Sequence, residues 1–456
     1  MYTFIISIIL LVIGYFTYGK YIEKMFGVKE ERATPAYVNQ DGVDYLPMSS
    51  NKNSLIQLLN IAGVGPIFGP IMGALYGPVA FIWIVLGCIF AGAVHDYLTG
   101  MISIRNRGAH LPELAGKFLG KVMKHVVNAF AILLLVLVGT VFVTSPASLL
   151  HNLMNGKVSL WIITLFIFGY YILATLLPID KIIGRFYPIF GALLLIASLG
   201  VGGMLIVQQV PIPELTLANL HPDHMPIFPL LFLTITCGAL SGFHATQTPI
   251  ISRTTQTEKQ GRKIFYGMMI AEGIIAMVWA AAAMSLFQGS IGTLAVLGVI
   301  VLPITSGDTA FRSARMIIAD YIKLPQFSMK RRLIIAIPLF VISIALTQID
   351  FNILWRYFSW ANQATAVIAL FVSAMYLFIA RKNYWVALIP GAFMLYTTTV
   401  YILNAEIGFR QSMNVSYIVG AVISVILVIV FFKAAQKARA AEMPLEVDIS
   451  DYHKVA

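Results

Sequence analysis

Apolar stretches of roughly 18 to 25 residues, each long enough to cross a ~30 Å hydrocarbon core as an α-helix, recur from one end of this chain to the other. Few folds accept that pattern. Lipid offers the backbone no hydrogen bonds, so only helices and closed barrels can span it, and a barrel would show short segments of alternating polarity instead. Composition agrees with helices in lipid: 59% of the 456 residues are hydrophobic and 11% charged, against about a quarter charged in soluble domains. The expected fold class is an all-α polytopic membrane protein.

Gly, Pro and charge clusters punctuate the pattern and predict about thirteen spans, near 2–19, 54–77, 78–104, 125–145, 159–177, 186–207, 227–250, 264–287, 291–321, 333–349, 351–380, 384–403 and 414–436. Alternating sides from an N-terminus outside, the segments expected inside collect every Lys and Arg except Lys157, Arg356 and Arg410. One missed helix would invert every later loop, so this positive-inside split supports both the span count and a cytoplasmic C-terminus. It also accounts for the net charge of +11 without a nucleic-acid partner; the partner implied is the lipid bilayer of the inner, cytoplasmic membrane. The first stretch has no basic residue before it and no small-residue cleavage site, which reads as a retained helix. Cys88 and Cys237 sit in apolar segments with neither a disulfide framework nor metal-ligand spacing. They read as packing residues, and no cofactor or metal is expected.

Two spans should not be ordinary helices. The second contains Gly63, Gly65, Pro66, Gly69 and Pro70 within residues 63–70, and Pro removes a backbone donor while Gly weakens a helix. The seventh carries Ser241, Gly242, His244, Thr246 and Gln247 before Pro249, unusually polar for a lipid-spanning stretch. Unwound backbone at membrane depth is tolerated where it is buried in protein or lines a watery cavity. The second break follows the first by five helices, which is the pointer to an inverted-repeat secondary transporter with a midplane site. The alternative is a Pro kink with tightly packed glycines. Half-helix N-termini at such breaks suit an anion and the facing carbonyls a cation, so a carboxylate substrate is expected at these residues, with Asn362 and Gln363 of the eleventh span as further candidates.

Ionisable groups at membrane depth suggest function by default. His95 and Asp96 interrupt the third span and Glu272 the eighth; Thr305, Ser306, Asp308 and Arg312 close the ninth, with Asp308 and Arg312 at i,i+4 where they can pair. These are the candidates for ion or proton coupling. A structural hydrogen bond or an interfacial pair is the bland reading of His95 and Asp96, and helix–helix hydrogen bonding is that of the hydroxyls.

The strings NIAGVGPIFG at 60–69, GAVHDY at 92–97, DGVDYLP at 41–47, SGFHATQ at 241–247, PITSGDTAFR at 303–312 and WRYFSWANQ at 355–363 together resemble blocks of the carbon starvation protein (CstA) family, in family order. The resemblance covers roughly residues 1–380, and the chain is similar to the shorter family members. One departure is the short stretch 288–293, where a longer outer segment is expected. The resemblance implies the amino acid, polyamine and organocation transporter superfamily, with a leucine-transporter-like five-plus-five inverted repeat, one extra N-terminal helix and two C-terminal helices. The implied organisation is an N-terminal helix and loop at 1–53, a core at 54–380 with repeats about 54–207 and 227–380, two helices at 381–436 and a tail at 437–456. It also implies uptake of peptides during carbon starvation or proton-coupled import of pyruvate.

The combined expectation is a secondary active importer of small carboxylate-bearing nutrients, coupled to protons, that is not an enzyme. Sodium coupling is the mechanistic rival, with carbonyls beside Ala62 and Gly63 and the hydroxyls of Thr305 and Ser306 as its cage. A membrane-embedded sensor, a passive channel and a membrane enzyme are the other classes. The short tail argues against the sensor, and the lack of a nucleophile–base set or metal cluster argues against the enzyme.

Overall fold

Uninterrupted apolar runs form long helices, and glycine and proline set where those helices stop. Every regular element among the described residues of the computed structural model is helical. Residues 64, 177–182, 287–293, 327 and 448–456 lie outside the described set, as do the side chains of 183–190, 286, 294–305, 308 and 352. The helices are α1 Tyr2–Phe26, α2 Ser50–Ile61, α3 Gly65–Gly73, α4 Val79–Arg105, α5 Lys121–Leu153, α6 Leu160–Leu176, α7 Ile183–Val207 and α8 Ile227–Thr234. They continue as α9 Gly242–Ser252, α10 Gly267–Leu286, α11 Leu294–Tyr321, α12 Met329–Leu346, α13 Phe351–Ile379, α14 Trp385–Asn404 and α15 Met413–Ala440.

With α2–α3 and α8–α9 each taken as one broken span, every expected span falls on a helix. Seven helices are long and apolar enough alone to cross a membrane, and the α2–α3 pair, bent by 49°, makes an eighth. Their surroundings differ: the apolar window of α13 is 89% buried and that of α15 22%. α13 is therefore central, and α15 presents most of its length to lipid.

The buried apolar side chains divide into two clusters. One joins α1, α2, α3, α4, α10, α14 and the later half of α13. The other joins α5, α6, α11, α12 and the stretch of α13 around Leu354, Phe358 and Ala361. The broken spans lie along the seam: Phe243 of α9 packs with the second cluster and Ala245 with the first.

At one end of the molecule the segments expected inside converge. Arg105 Nε donates to Glu258 at 2.8 Å, Arg32 and Arg105 lie 2.7 and 3.2 Å from Glu446, and the Val447 amide donates to the Arg105 carbonyl. The tail is thus folded back onto the loops. Asp44 is buried between Arg312 at 3.3 Å and Arg315 at 3.5 Å. Burial opposes its charge, but Arg315 and Arg312, with Arg253 and Arg332 behind them, hold its carboxyl below the usual carboxylate range. Elsewhere the N-terminal ammonium meets Glu214 at 2.5 Å and Arg356 pairs with Glu406 at 2.6 Å.

Candidate functional site

The two breaks meet. α2 ends at Ile61 and α3 begins at Gly65, whose missing side chain is required: a Cβ there would lie 2.2 Å from Cys237 Sγ. A Cβ at Gly69 would lie 2.8 Å from the Thr234 carbonyl. Pro66 is buried in the first turn of α3, where its missing N–H costs nothing. A Cβ on Gly63 would strike the Phe142 ring at 2.4 Å and reach Ser306 Cβ at 3.0 Å, so this break faces α5 and α11 as well. Ser306 Oγ donates to the Leu59 carbonyl at 2.8 Å, satisfying one of the carbonyls that α2 leaves open at its end.

In the second break the chain leaves α8 after Thr234, turns through Gly238 at φ +89° and re-enters a helix at Gly242. α13 ties it down. Asn362 Oδ1 accepts the Phe243 amide at 2.6 Å and the Ser241 hydroxyl at 3.2 Å, and Gln363 Nε2 donates to the Leu240 carbonyl at 2.9 Å. A cap supplied from a distant helix answers the free amides of the α9 start. Thr246 Oγ1 donates to the Phe243 carbonyl at 2.6 Å and receives Gln247 Nε2 at 2.9 Å. The Thr246 carbonyl receives Ser313 Oγ at 2.7 Å.

Beneath the break four titratable groups from three helices come together, each with no solvent exposure. A single π turn, Cys88–Gly92, precedes His95 and Asp96, and such turns often mark functional sites. Asp96 is acceptor-only when ionised: His95 Nδ1 lies 2.8 Å from its Oδ1 and His244 Nδ1 3.0 Å from its Oδ2. The far ring nitrogen of His244, Nε2, sits 3.4 Å from Glu272 Oε2 without hydrogen-bond alignment, and Glu272, with the Gly238 backbone beside it, has no well-aligned hydrogen bond among the described residues. His95, Asp96, His244 and Glu272, scattered along the sequence, thus form one cluster.

Arg312 meets Asp44 and the Ala174 carbonyl. Its expected partner Asp308, like Thr305, has a side chain outside the described residues. A cavity of about 220 Å³ lined by Thr144, Trp161, Thr164 and Gln348 holds none of the break residues.

A model of the carbon starvation protein CstA matches residues 1–164, 145–296 and 288–401. The chain belongs to the CstA family. An uncharacterized membrane protein of Haemophilus influenzae is 50% identical over 340 residues, covering 63% of this chain and 92% of that one. The pyruvate/proton symporter BtsT of Escherichia coli is 28% identical over 347 residues, 61% of this chain and 48% of that protein. The peptide transporter CstA of Campylobacter jejuni is 28% identical over 363 residues, 63% and 50% respectively. The chain spans about half the length of these named transporters. Among solved structures, the Eremococcus coleocola manganese transporter superposes with a TM-score of 0.56 over 88% of this chain and 98% of that one at 13% identity. Mhp1, a nucleobase-cation-symport-1 family transporter, gives 0.54 over 88% and 96% at 14% identity. At these identities the likeness is one of fold, the leucine-transporter-like arrangement that the paired breaks predict.

Three features of this CstA-family site were not anticipated as functional from the residues. Cys237, read as packing, stands between Gly65 and His244. Gln57 and Asn60 of α2 are fully buried, and none of their four amide atoms has a hydrogen-bond partner among the described residues. Their signal was the spacing of Asn53, Gln57 and Asn60 at i, i+4 and i+7, a polar stripe on one helix face. Asp44 lies in the loop block DGVDYLP, and no local pattern ties it to Arg312.

Proposed function

We propose that this chain is a secondary active transporter that imports small carboxylate-bearing nutrients, peptides or pyruvate, across the cytoplasmic membrane during carbon starvation, coupled to protons. The observation that carries the reading is the apposition of the two helix breaks, Gly65 against Cys237 and Gly69 against the Thr234 carbonyl. Two interrupted helices facing one another at depth are the arrangement in which transporters of this architecture hold substrate. The amino end of α9 already receives Asn362, which leaves that of α3, behind Gly63 and Gly65, as the seat for a substrate carboxylate. Gln57 and Asn60 supply unused amide groups on the helix leading into it.

The division of the apolar interior along the seam supports a rocking motion, with the α5, α6, α11 and α12 body as the frame. Proton coupling is supported by the relative named a pyruvate/proton symporter and by the buried acid–base groups under the second break. Sodium coupling has one specific observation in its favour, Ser306 seated on the carbonyl end of α2. The basic end that gathers Arg32, Arg105 and Lys382 is taken as cytoplasmic under the positive-inside rule.

The test is uptake of labelled pyruvate and of a labelled dipeptide into proteoliposomes under separately imposed proton and sodium gradients. Accumulation of either driven by the proton gradient is expected. If neither moves under any gradient with folded, correctly inserted protein, the reading is wrong.

A further inference from the structure

We propose that Cys237, His244 and Glu272 form a binding site for one thiophilic divalent cation of the zinc class, buried where the two helix breaks meet. Their donor atoms, a sulfur, a ring nitrogen and a carboxylate oxygen, all lie within 4.8 Å of one another, and all three residues are buried. Donors around a tetrahedral zinc at ~2.0–2.3 Å stand about 3.5 Å apart. The His244 Nε2 to Glu272 Oε2 separation is already 3.4 Å, and the Cys237 sulfur lies within 4.8 Å of the other two donors.

The arrangement of hydrogen bonds points to a cation as well. His244 gives its Nδ1 side to Asp96 at 3.0 Å, the carboxylate–histidine pairing that orients a ligating imidazole and leaves Nε2 as the ligand atom. That Nε2 and both Glu272 oxygens lack a well-aligned hydrogen bond among the described residues, their polar neighbours being Cys237 and the Gly238 backbone. Groups so polar are rarely left unpaired in a protein interior. Thr236 Oγ1 at 3.8 Å and Asn362 Nδ2 at 4.0 Å donate to the sulfur of Cys237, while its own S–H donates to Ser241 Oγ at 3.4 Å, the proton that a bound metal would displace.

A thiolate and a carboxylate neutralise a dication, which makes the assembly compatible with full burial. A soft sulfur with imidazole selects zinc-like ions over magnesium or calcium. Three protein ligands leave a fourth position open, as in sites that exchange a ligand. Gly65 lies against the same sulfur, so an ion here would bridge α9 and α10 directly beside the α2–α3 break.

The full-length protein, purified and stripped with chelator, is titrated with Co2+. One equivalent is expected to bind with a near-ultraviolet thiolate-to-cobalt charge-transfer band, displaced by Zn2+. Cys237→Ser is expected to abolish the band and Cys88→Ser to keep it, and Glu272→Gln to weaken binding at least ~10-fold. The absence of a band in the unmodified protein, or its survival in Cys237→Ser, overturns the proposal. Should Cys237→Ser fail to fold, unchanged cobalt affinity in Glu272→Gln overturns it equally. The inference shares His244 and Glu272 with the acid–base cluster of the transport reading, but cobalt binding is read without substrate or gradient, so either reading can fail alone.

Discussion

Gly242 is the position at which adding a single methyl group should damage the site most. A Cβ there would stand 2.1 Å from the Asn362 carbonyl oxygen and 2.3 Å from the Ala366 nitrogen. Both are backbone atoms of a central helix and cannot rotate away. An ordinary contact of about 3.5 Å is restored only if α9 and α13 separate by roughly 1.4 Å. That shift carries the 2.6 Å bond from the Phe243 amide to Asn362 beyond about 3.5 Å, outside hydrogen-bond range. The strain of overpacking is about 1–3 kcal/mol, and a buried amide left without its acceptor adds about 1–3 kcal/mol. Gly242→Ala should therefore lose about 2–6 kcal/mol, read as a lowered thermal midpoint in detergent, and should lose uptake. Gly200→Ala is the matched control, because a Cβ there meets nothing within 4 Å; it should match the unmodified protein. A Gly242→Ala protein with an unchanged midpoint would refute the placement of α9 against α13.

Three further outcomes are expected. Asn362→Leu keeps the branching but removes the acceptor for Phe243, and should cost at least about 1–3 kcal/mol in thermal stability while Thr365→Val, on the same helix, costs less. Asp44→Asn leaves Arg312 and Arg315 without their buried carboxylate and should cost about 3–5 kcal/mol at neutral pH. Because the folded-state value of Asp44 is depressed, its contribution is complete above the unfolded value near ~3.9 and is lost as pH falls through the folded one. The difference in midpoint between Asp44→Asn and the unmodified protein should thus be flat above pH about 5 and shrink below about 4. Glu446→Gln should loosen the tail from Arg32 and speed tryptic cleavage at Arg32 several-fold; an unchanged rate would mean the tail does not cover that loop.

Much of the fold was legible because lipid leaves so few options. Apolar length placed each helix, and Arg32, Arg105, Arg253 and Arg439, all expected on one side, meet Glu258, Asp320 and the Phe378 carbonyl. The breaks were legible because Gly63, Gly65, Pro66 and Gly238 have backbone consequences wherever they stand. What the linear pattern does not carry is adjacency across helices. His95, Asp96, His244 and Glu272 each stood out as costly at depth, yet nothing local relates residue 96 to 244 or 272. The same limit hid Cys237, whose significance rests on a partner 35 residues away on another helix, and Asp44, which closes on Arg312 from a loop 268 positions distant. Asn362 and Gln363 were legible as important from their polarity at depth; their bonds run to the Phe243 amide, the Leu240 carbonyl and the Ser241 and Cys237 side chains of the second break.

The cap on α9 has a consequence for how the protein is made. Phe243 and Asn362 are 119 residues apart, and chains are synthesised at about 5–20 residues per second, so the amino end of α9 waits roughly 6–24 seconds for its acceptor. During that interval a segment carrying His244, Thr246, Gln247 and Thr248 must be kept out of hydrocarbon by helices already inserted. α4 can do this: Ser252 Oγ reaches the Gly100 carbonyl at 2.9 Å and Thr248 reaches Thr99 at 3.4 Å, contacts that need nothing translated later. The order of helices along the chain is therefore also a schedule, in which the first half of the protein shelters the polar segment of the second until α13 arrives to finish it.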